Sequence, residues 1–401
     1  MSDDKNPNFG RRRLIVGGTV ALLAALAVGA LAVLSDGGGE TLSISVPSTS
    51  TTTTTLPTTT TSTSTSTSTT STSTTTVGPT TTTTTIDPVP TTIFDNGVPI
   101  WEPYETLPGL DGFAALTGEV AGPEITERPI VAAKIDNYSR ARPQWALDQA
   151  DVIIEENVEG VTRFVALFHT TLPDRLGPIR SARTGDLDIL SSMNRPILAW
   201  SGGNRGVTNW VESAARSGVL VNFTAQKNPC YDRNSSRSAP HNLQLNPTCA
   251  LENAPTAGPA RPLWAIDQTW TDPGNIGIVP DSVFNVGMDG VSVDWVWDVE
   301  AQRYFRSQNG NRHLAASGNQ IVVDNVVELF VQHPPSPVDA RSPNPITVGL
   351  GAATVHRDGQ RISATWERAS AFDAFVLRDV EGDLIPLDTG KTFVELVRPP
   401  A

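Results

Sequence analysis

Apolar residues follow three regimes along this chain, and each predicts a different physical state. Leu14 to Leu34 is an uncharged run of 21 residues without proline. At about 1.5 Å rise per residue it makes roughly 30 Å of helix, the thickness of a bilayer core. Between Ser48 and Thr85 no apolar period exists, because the chain is almost entirely Thr and Ser with no charged residue. Such a segment buries too little apolar surface to offset its conformational entropy and is predicted to be disordered. From Arg128 onward the pattern changes again. "PIVAAKID" and "DVIIEE" predict buried strands, and "TRFVALFHT" alternates so that Phe164, Ala166 and Phe168 share one face. "TGDLDILSSM" predicts a helix beginning at Thr184 with Asp186 in its opening turn, and "GVTNWVESAARSG" a second one stopped by Gly218. A stretch rich in Pro, Gly and Ala, from Ala254 to Pro262, punctuates the chain. Beyond it nearly everything reads as strand, and "VSVDWVWDV" places Val291, Val293, Trp295, Trp297 and Val299 on one face.

The pattern divides the chain into a cytoplasmic N-terminus (1–13), a transmembrane span (14–34), a disordered Thr/Ser-rich linker (35–127), and two domains. The first domain (128–254) is mixed α/β, of the α+β layered kind, and the second (262–401) is small and mainly antiparallel β. The roughly 270 residues involved are enough for two cores. Arg11, Arg12 and Arg13 precede the span and no arginine or lysine closely follows it, which orients the N-terminus inward and sends the bulk of the chain outside the cell membrane. A cleaved signal peptide, for which "AVGALAVLS" offers small residues, and a twin-arginine export signal are the alternatives. All three export the rest of the chain, and the length of the span favours an uncleaved single-pass anchor. Dense hydroxyls with scattered prolines resemble an O-glycosylated stalk. Left bare, residues 35–127 would span roughly 50 Å as a coil, which lifts a domain into the cell-wall layer.

A net charge of -13 without a basic stripe argues against a nucleic-acid partner. Cys230 and Cys249 are the only two cysteines. In an exported chain they predict a disulfide, which in the loop-entropy model is worth about 3 kcal/mol. Two cysteines and five scattered histidines predict no metal site, and nothing in the sequence implies a cofactor. Trp295 and Trp297 invite a carbohydrate reading, but at strand spacing on one face they fit a core better.

The polar residues that break the core pattern fall at predicted strand ends and in the loops beyond them, where α/β folds form their crevices. They are Asp136 and Asn137, then Arg142 with Pro143 and Gln144, then Asp151, Glu155 and Glu156, then Glu159 and Arg163. "GPIRSART" adds Arg180, Ser181 and Arg183, and "RSAPHN" adds Arg237, His241 and Asn242. These groups are expected to converge. Two arginines three apart at a helix start suit an anion, since each planar fork binds carboxylate or phosphate bidentately and never deprotonates. The bland alternative pairs Arg180 and Arg183 internally with Glu155, Glu156, Glu159 or Asp136. His241 is either a proton donor or acceptor or a structural hydrogen bonder. Ser181 lacks the glycines of a nucleophile elbow.

"KIDN", "ARPQ", "EGVTRF", "GPIRSAR" and "APHN", in this order, resemble the YerB-like family of bacterial extracytoplasmic proteins, and "RYFR", "GNQIVVDNVVEL" and "GKTFVEL" resemble its C-terminal β-rich domain. The resemblance implies a mixed α/β fold with an attached β domain outside the membrane, and no established activity. Members are often lipoproteins. Here no cysteine lies near the apolar span, so a protein anchor replaces the lipid. Three functions compete: capture of an anionic cell-wall component or protein partner in an arginine-rich crevice, wall hydrolysis or transfer with carboxylate and His241 as acid and base, and structural presentation without a ligand. The first is preferred.

Overall fold

A computed structural model describes residues 94–95, 98–99, 104, 106–107, 112–271 and 278–400. The apolar span and the Thr/Ser tract lie outside these residues. Among the described residues no helix is long and apolar enough to cross a membrane. The predicted linker reached residue 127, but its last part is folded. Phe113 bridges Val120, Pro123–Thr126 forms a short helix (α1), and Leu116 is buried in a core. The apolar triplet Ala114–Leu116 is what separates this stretch from the Thr/Ser tract before it.

The segment before Ala254 supplies strands β1 (Val131–Asp136), β2 (Val152–Val158), β3 (Val161–Phe168), β4 (Ile197–Trp200) and β5 (Val221–Thr224). The later segment supplies β6 (Val283–Met288), β7 (Val291–Asp298), β8 (Arg303–Gln308) and β9 (Asn325–Phe330). It continues with β10 (Gly349–Arg357), β11 (Gln360–Arg368) and β12 (Thr392–Val397). The result is a sheet-rich mixed fold with few helices. An 11-stranded sheet runs β11-β10-β9-β12-β2-β3-β1-β4-β5, with the short strands Val279–Pro280 and Val376–Arg378 beside β11. As the pattern predicted, a separate antiparallel sheet forms from the later segment: β6, β7 and β8 with Asn311–Arg312 and Val322–Val323.

The sheets do not follow the predicted domain boundary. "TFVELV", expected in the small β domain, is β12, which inserts between β2 and β9, parallel to both, with Glu395 registered beside Glu155. Its burial on both faces explains its composition, because a strand at the centre of a covered sheet is apolar at nearly every position. Alternation then creates two cores. Ala132, Ile154, Val165 and Leu167 pack on one face with α2 (Gly185–Leu190) and α3 (Arg205–Arg216). Ala133, Ile153, Phe164 and Phe393 pack on the other against Val286, Val293, Trp295 and Tyr304 of the second sheet.

The helix signals hold with local differences. Asn204 caps α3 by accepting from the Val207 amide at 2.9 Å, and Gly218 at φ +77° lies just beyond its C-terminus. Thr184 precedes α2, yet its hydroxyl bonds Ser336 and Asn344 rather than the helix amides. On β7 the predicted face is buried at Val291, Val293 and Trp295 and half-buried at Trp297. Val299 is 76% exposed because it lies past the strand end. Cys230 and Cys249 are joined, which ties the Tyr231–Arg233 hairpin to helix α4 (Pro247–Glu252).

Candidate functional site

Because side chains alternate along a strand, β1, β2 and β3 send the predicted site residues to opposite faces of the sheet. On the helix-covered side stand Asp136 and Arg163, which face each other across β1 and β3. The "GPIRSAR" loop runs along β1, since Asp136 N donates to Pro178 O at 2.9 Å and Arg180 N to Lys134 O at 2.8 Å. That places the Arg180 Nε 3.0 Å from Asp136 Oδ2, while the side chain stays 26% exposed. The approach is an ion pair without hydrogen-bond geometry, and the Arg180 guanidinium donates no hydrogen bond among the described residues. His241 Nδ1 lies 2.7 Å from the same carboxylate oxygen, with its ring stacked on Tyr138.

Behind them Arg163 is buried and donates to the Ser181 carbonyl at 3.3 Å. Burial, then the charges of Arg183 and Arg180, bring its pKa down to about 10. Arg183 is committed elsewhere. Its fork grips both oxygens of Glu159, at 3.0 and 2.6 Å. Burial alone would raise the Glu159 carboxyl, but the Arg183 hydrogen bond and charge hold it below its ordinary value. Beneath lies a closed set that the sequence reading did not assemble: fully buried Lys134 pairs with Glu156 and, at 2.7 Å, with Asp186 of α2. Burial and the neighbouring Asp186 raise the Glu156 carboxyl.

The opposite face holds Asn137 and Glu155. Asn137 Nδ2 donates to Glu155, Thr162 and Gln308 at 3.2, 2.7 and 3.1 Å. Glu155 pairs with Arg306 of β8, and Arg306 also donates to Gln308 at 2.9 Å and meets His313 Nδ1 at 2.5 Å. Asn242 and Arg237 hold loops. The Asn242 amide donates to the Asn234 and Arg237 carbonyls, and Arg237 donates to the Ala141 and Pro143 carbonyls while lying 3.9 Å over the Trp145 ring. Arg142 makes no bond to this network but is half-buried in the wall of a cavity of about 320 Å³ that Gln308 and His313 also line.

The single crevice expected from the sequence is therefore three groups: Asp136, Arg163, Arg180, Ser181, Arg183, Glu159 and His241 on one face, Asn137 and Glu155 sealed on the other, and Arg142 in the cavity wall. Glu155 is wholly buried and cannot reach a substrate. Neither an apolar cavity of about 590 Å³ beside Trp264 and Ile266, nor a polar one of about 410 Å³ beside Trp270 and Asp388, includes the Arg180 cluster in its lining. Among the described residues no group of three or more His, Cys, Asp or Glu is placed to hold a metal ion. The buried charged residues Lys134 and Glu395 had one sequence signal available. A charge inside an otherwise apolar strand run, as in "VAAKID" or "TFVELV", demands a buried counter-charge.

Two consecutive parts of the chain match the two domains of one family. Residues 116–260 match the N-terminal domain of the DUF3048 proteins of unknown function, and residues 284–394 match the C-terminal domain. The chain belongs to this family. It is 26% identical over 297 residues to YerB of Bacillus subtilis (strain 168), whose name designates a lipoprotein, covering 71% of this chain and 86% of that relative. The crystal structure of the Bacillus subtilis YerB protein has a similar fold, with a TM-score of 0.61 at 23% identity over 72% of this chain and 97% of the other. The resemblance read from "KIDN", "GPIRSAR" and "APHN" is thereby confirmed as family membership.

Proposed function

We propose that the protein is a membrane-associated extracytoplasmic binding protein that captures an anionic group of a cell-envelope component or partner at Arg180. The observation that carries this reading is the unused guanidinium. Arg180 has its Nε beside Asp136 but its guanidinium donates no hydrogen bond among the described residues, and its side chain is partly exposed next to His241. A guanidinium has five donors in a planar fork suited to carboxylate or phosphate. Arg163 behind it adds field without competing for the ligand. Location outside the membrane is supported by the apolar run Leu14–Leu34 with arginines before it, and by the lipoprotein designation of the relative. With cysteines only at 230 and 249, this chain would hold to the membrane by that run rather than by a lipid.

A second reading, acid–base chemistry on a wall polymer, is favoured by the Asp136–His241 contact, in which a carboxylate orients an imidazole whose other nitrogen makes no hydrogen bond among the described residues.

Thermal unfolding of the full-length protein with and without inorganic phosphate separates ligand from fold. Arg180→Lys keeps the charge but loses the fork, so the anion-dependent rise in Tm should shrink while the anion-free Tm changes little. Arg183→Lys breaks the bidentate grip on Glu159 and should lower the anion-free Tm instead. A loss of stability in Arg180→Lys, with no anion response in either variant or the wild type, would reject the binding reading.

A further inference from the structure

The two buried side chains that line the cavity beside Arg142, His313 and Gln308, are hydrogen-bonded. His313 uses Nδ1 on Arg306 and Nε2 on Gln144 Oε1 at 3.0 Å, and the Gln308 carbonyl oxygen takes donors from Arg306 and Asn137. Arg142 is not satisfied. Its side chain makes no hydrogen bond and no ion pair among the described residues, and its Nε is enclosed without a partner. A half-buried guanidinium stays charged, so holding it without a counter-ion is costly. Burial, then the charge of Arg306, lower its pKa, against a smaller pull from Glu155, whose carboxylate is paired with Arg306.

The cavity shows where such an anion would stand. It is about 320 Å³ and is lined by Arg142, Ser139, Asn311, Arg312 and neighbours that include no carboxylate. Arg312 brings a second guanidinium, of which only Nε is engaged among the described residues, by Gln320 at 2.6 Å. One wall comes from the loop after β1 and the other from the hairpin after β8, so an occupant would touch both sequence segments. The volume lies at the small end for ligand sites, enough for one charged group with a short attached portion.

We infer that this cavity is a second anion site, separate from Arg180 and on the opposite face of the large sheet, which takes an oxyanion group, carboxylate or phosphoryl, in the fork of Arg142 with Arg312 at the mouth. The inference does not depend on the Arg180 reading. Titrating the full-length protein with inorganic phosphate or with acetate, against chloride at equal ionic strength, tests it. At least one of the two oxyanions should raise Tm beyond chloride, and their ranking tells which group the site prefers. Measured in an Arg180→Gln background, so that the other site contributes nothing, Arg142→Gln should weaken the remaining binding about tenfold or more, the usual loss for a charge-assisted hydrogen bond. If Arg142→Gln does not fold, Arg312→Gln on the exposed rim carries the same expected direction. No oxyanion effect in the wild type overturns the inference. So does an effect that survives Arg142→Gln and disappears in Arg180→Gln, which would support the preceding reading instead.

Discussion

Arg306→Met tests whether the ion network between the two sheets holds them together or merely fills space. Arg306 is fully buried on β8, paired with Glu155, hydrogen-bonded to Gln308 and His313, with its guanidinium 4.9 Å from the Phe393 ring centre. Glu395 stands beside Glu155 in parallel register, accepts from Trp295 Nε1 at 3.3 Å, and is pushed well above its ordinary carboxyl range by burial and by the Glu155 charge. Methionine keeps most of the volume and removes the cation. Breaking a buried pair by deleting one partner costs about 3–5 kcal/mol. The freed acceptors on His313 and Gln308 add up to about 1–3 kcal/mol each where water does not reach them. A loss of at least about 4 kcal/mol is expected, a large share of the stability of any domain. The loss should also depend on pH. A carboxyl whose folded pKa is raised stabilises the fold below its unfolded value, near 4.5, and that contribution disappears as pH rises through the folded value. The Arg306 charge holds the Glu395 value down, so removing it pushes that carboxyl further up, and the deficit should be smallest near pH 4.5 and grow toward pH 8. Adding Glu155→Gln should recover much of it. Urea unfolding followed by circular dichroism across this range measures both quantities. A deficit under about 1 kcal/mol, or one that does not change with pH, would refute the argument.

Replacing Cys230 and Cys249 together with serine should cost about 3 kcal/mol for a closed loop of sequence separation 19, read as a lower urea midpoint without reductant; an unchanged midpoint would mean the bond constrains little. His169 is buried with Nε2 2.9 Å from the Ile125 carbonyl, and burial brings its pKa down to about 4. It is held neutral in the fold while the unfolded chain protonates near 6.5, so its contribution is present above that pH and is lost as pH falls toward 4. His169→Gln should flatten this part of the acid-unfolding profile, and an identical slope in both proteins would count against the assignment.

Local information was legible in the chain. The both-faces-buried runs of β1 and β2, the alternation of β3 and β7, the stop of α3 at Gly218 and the Cys230–Cys249 pair each depend on neighbours in sequence or on composition, and each was read correctly. The family, too, follows from short motifs. What the sequence could not state is which strand pairs with which, because pairing is decided by burial between segments far apart. "TFVELV" looks the same in a small β domain or at the centre of a large sheet, and only the tertiary fold sets it between β2 and β9. The site suffered for the same reason. The period of two was visible, but its consequence was not, since Asp136 and Asn137, or Glu155 and Glu156, are adjacent in the chain and end in networks on opposite faces. Whether an arginine is paired is likewise a three-dimensional fact. Arg183 found Glu159 and Arg306 found Glu155, whereas Arg142 and Arg180 kept their forks free because nothing packed against them supplies an acceptor in the right geometry.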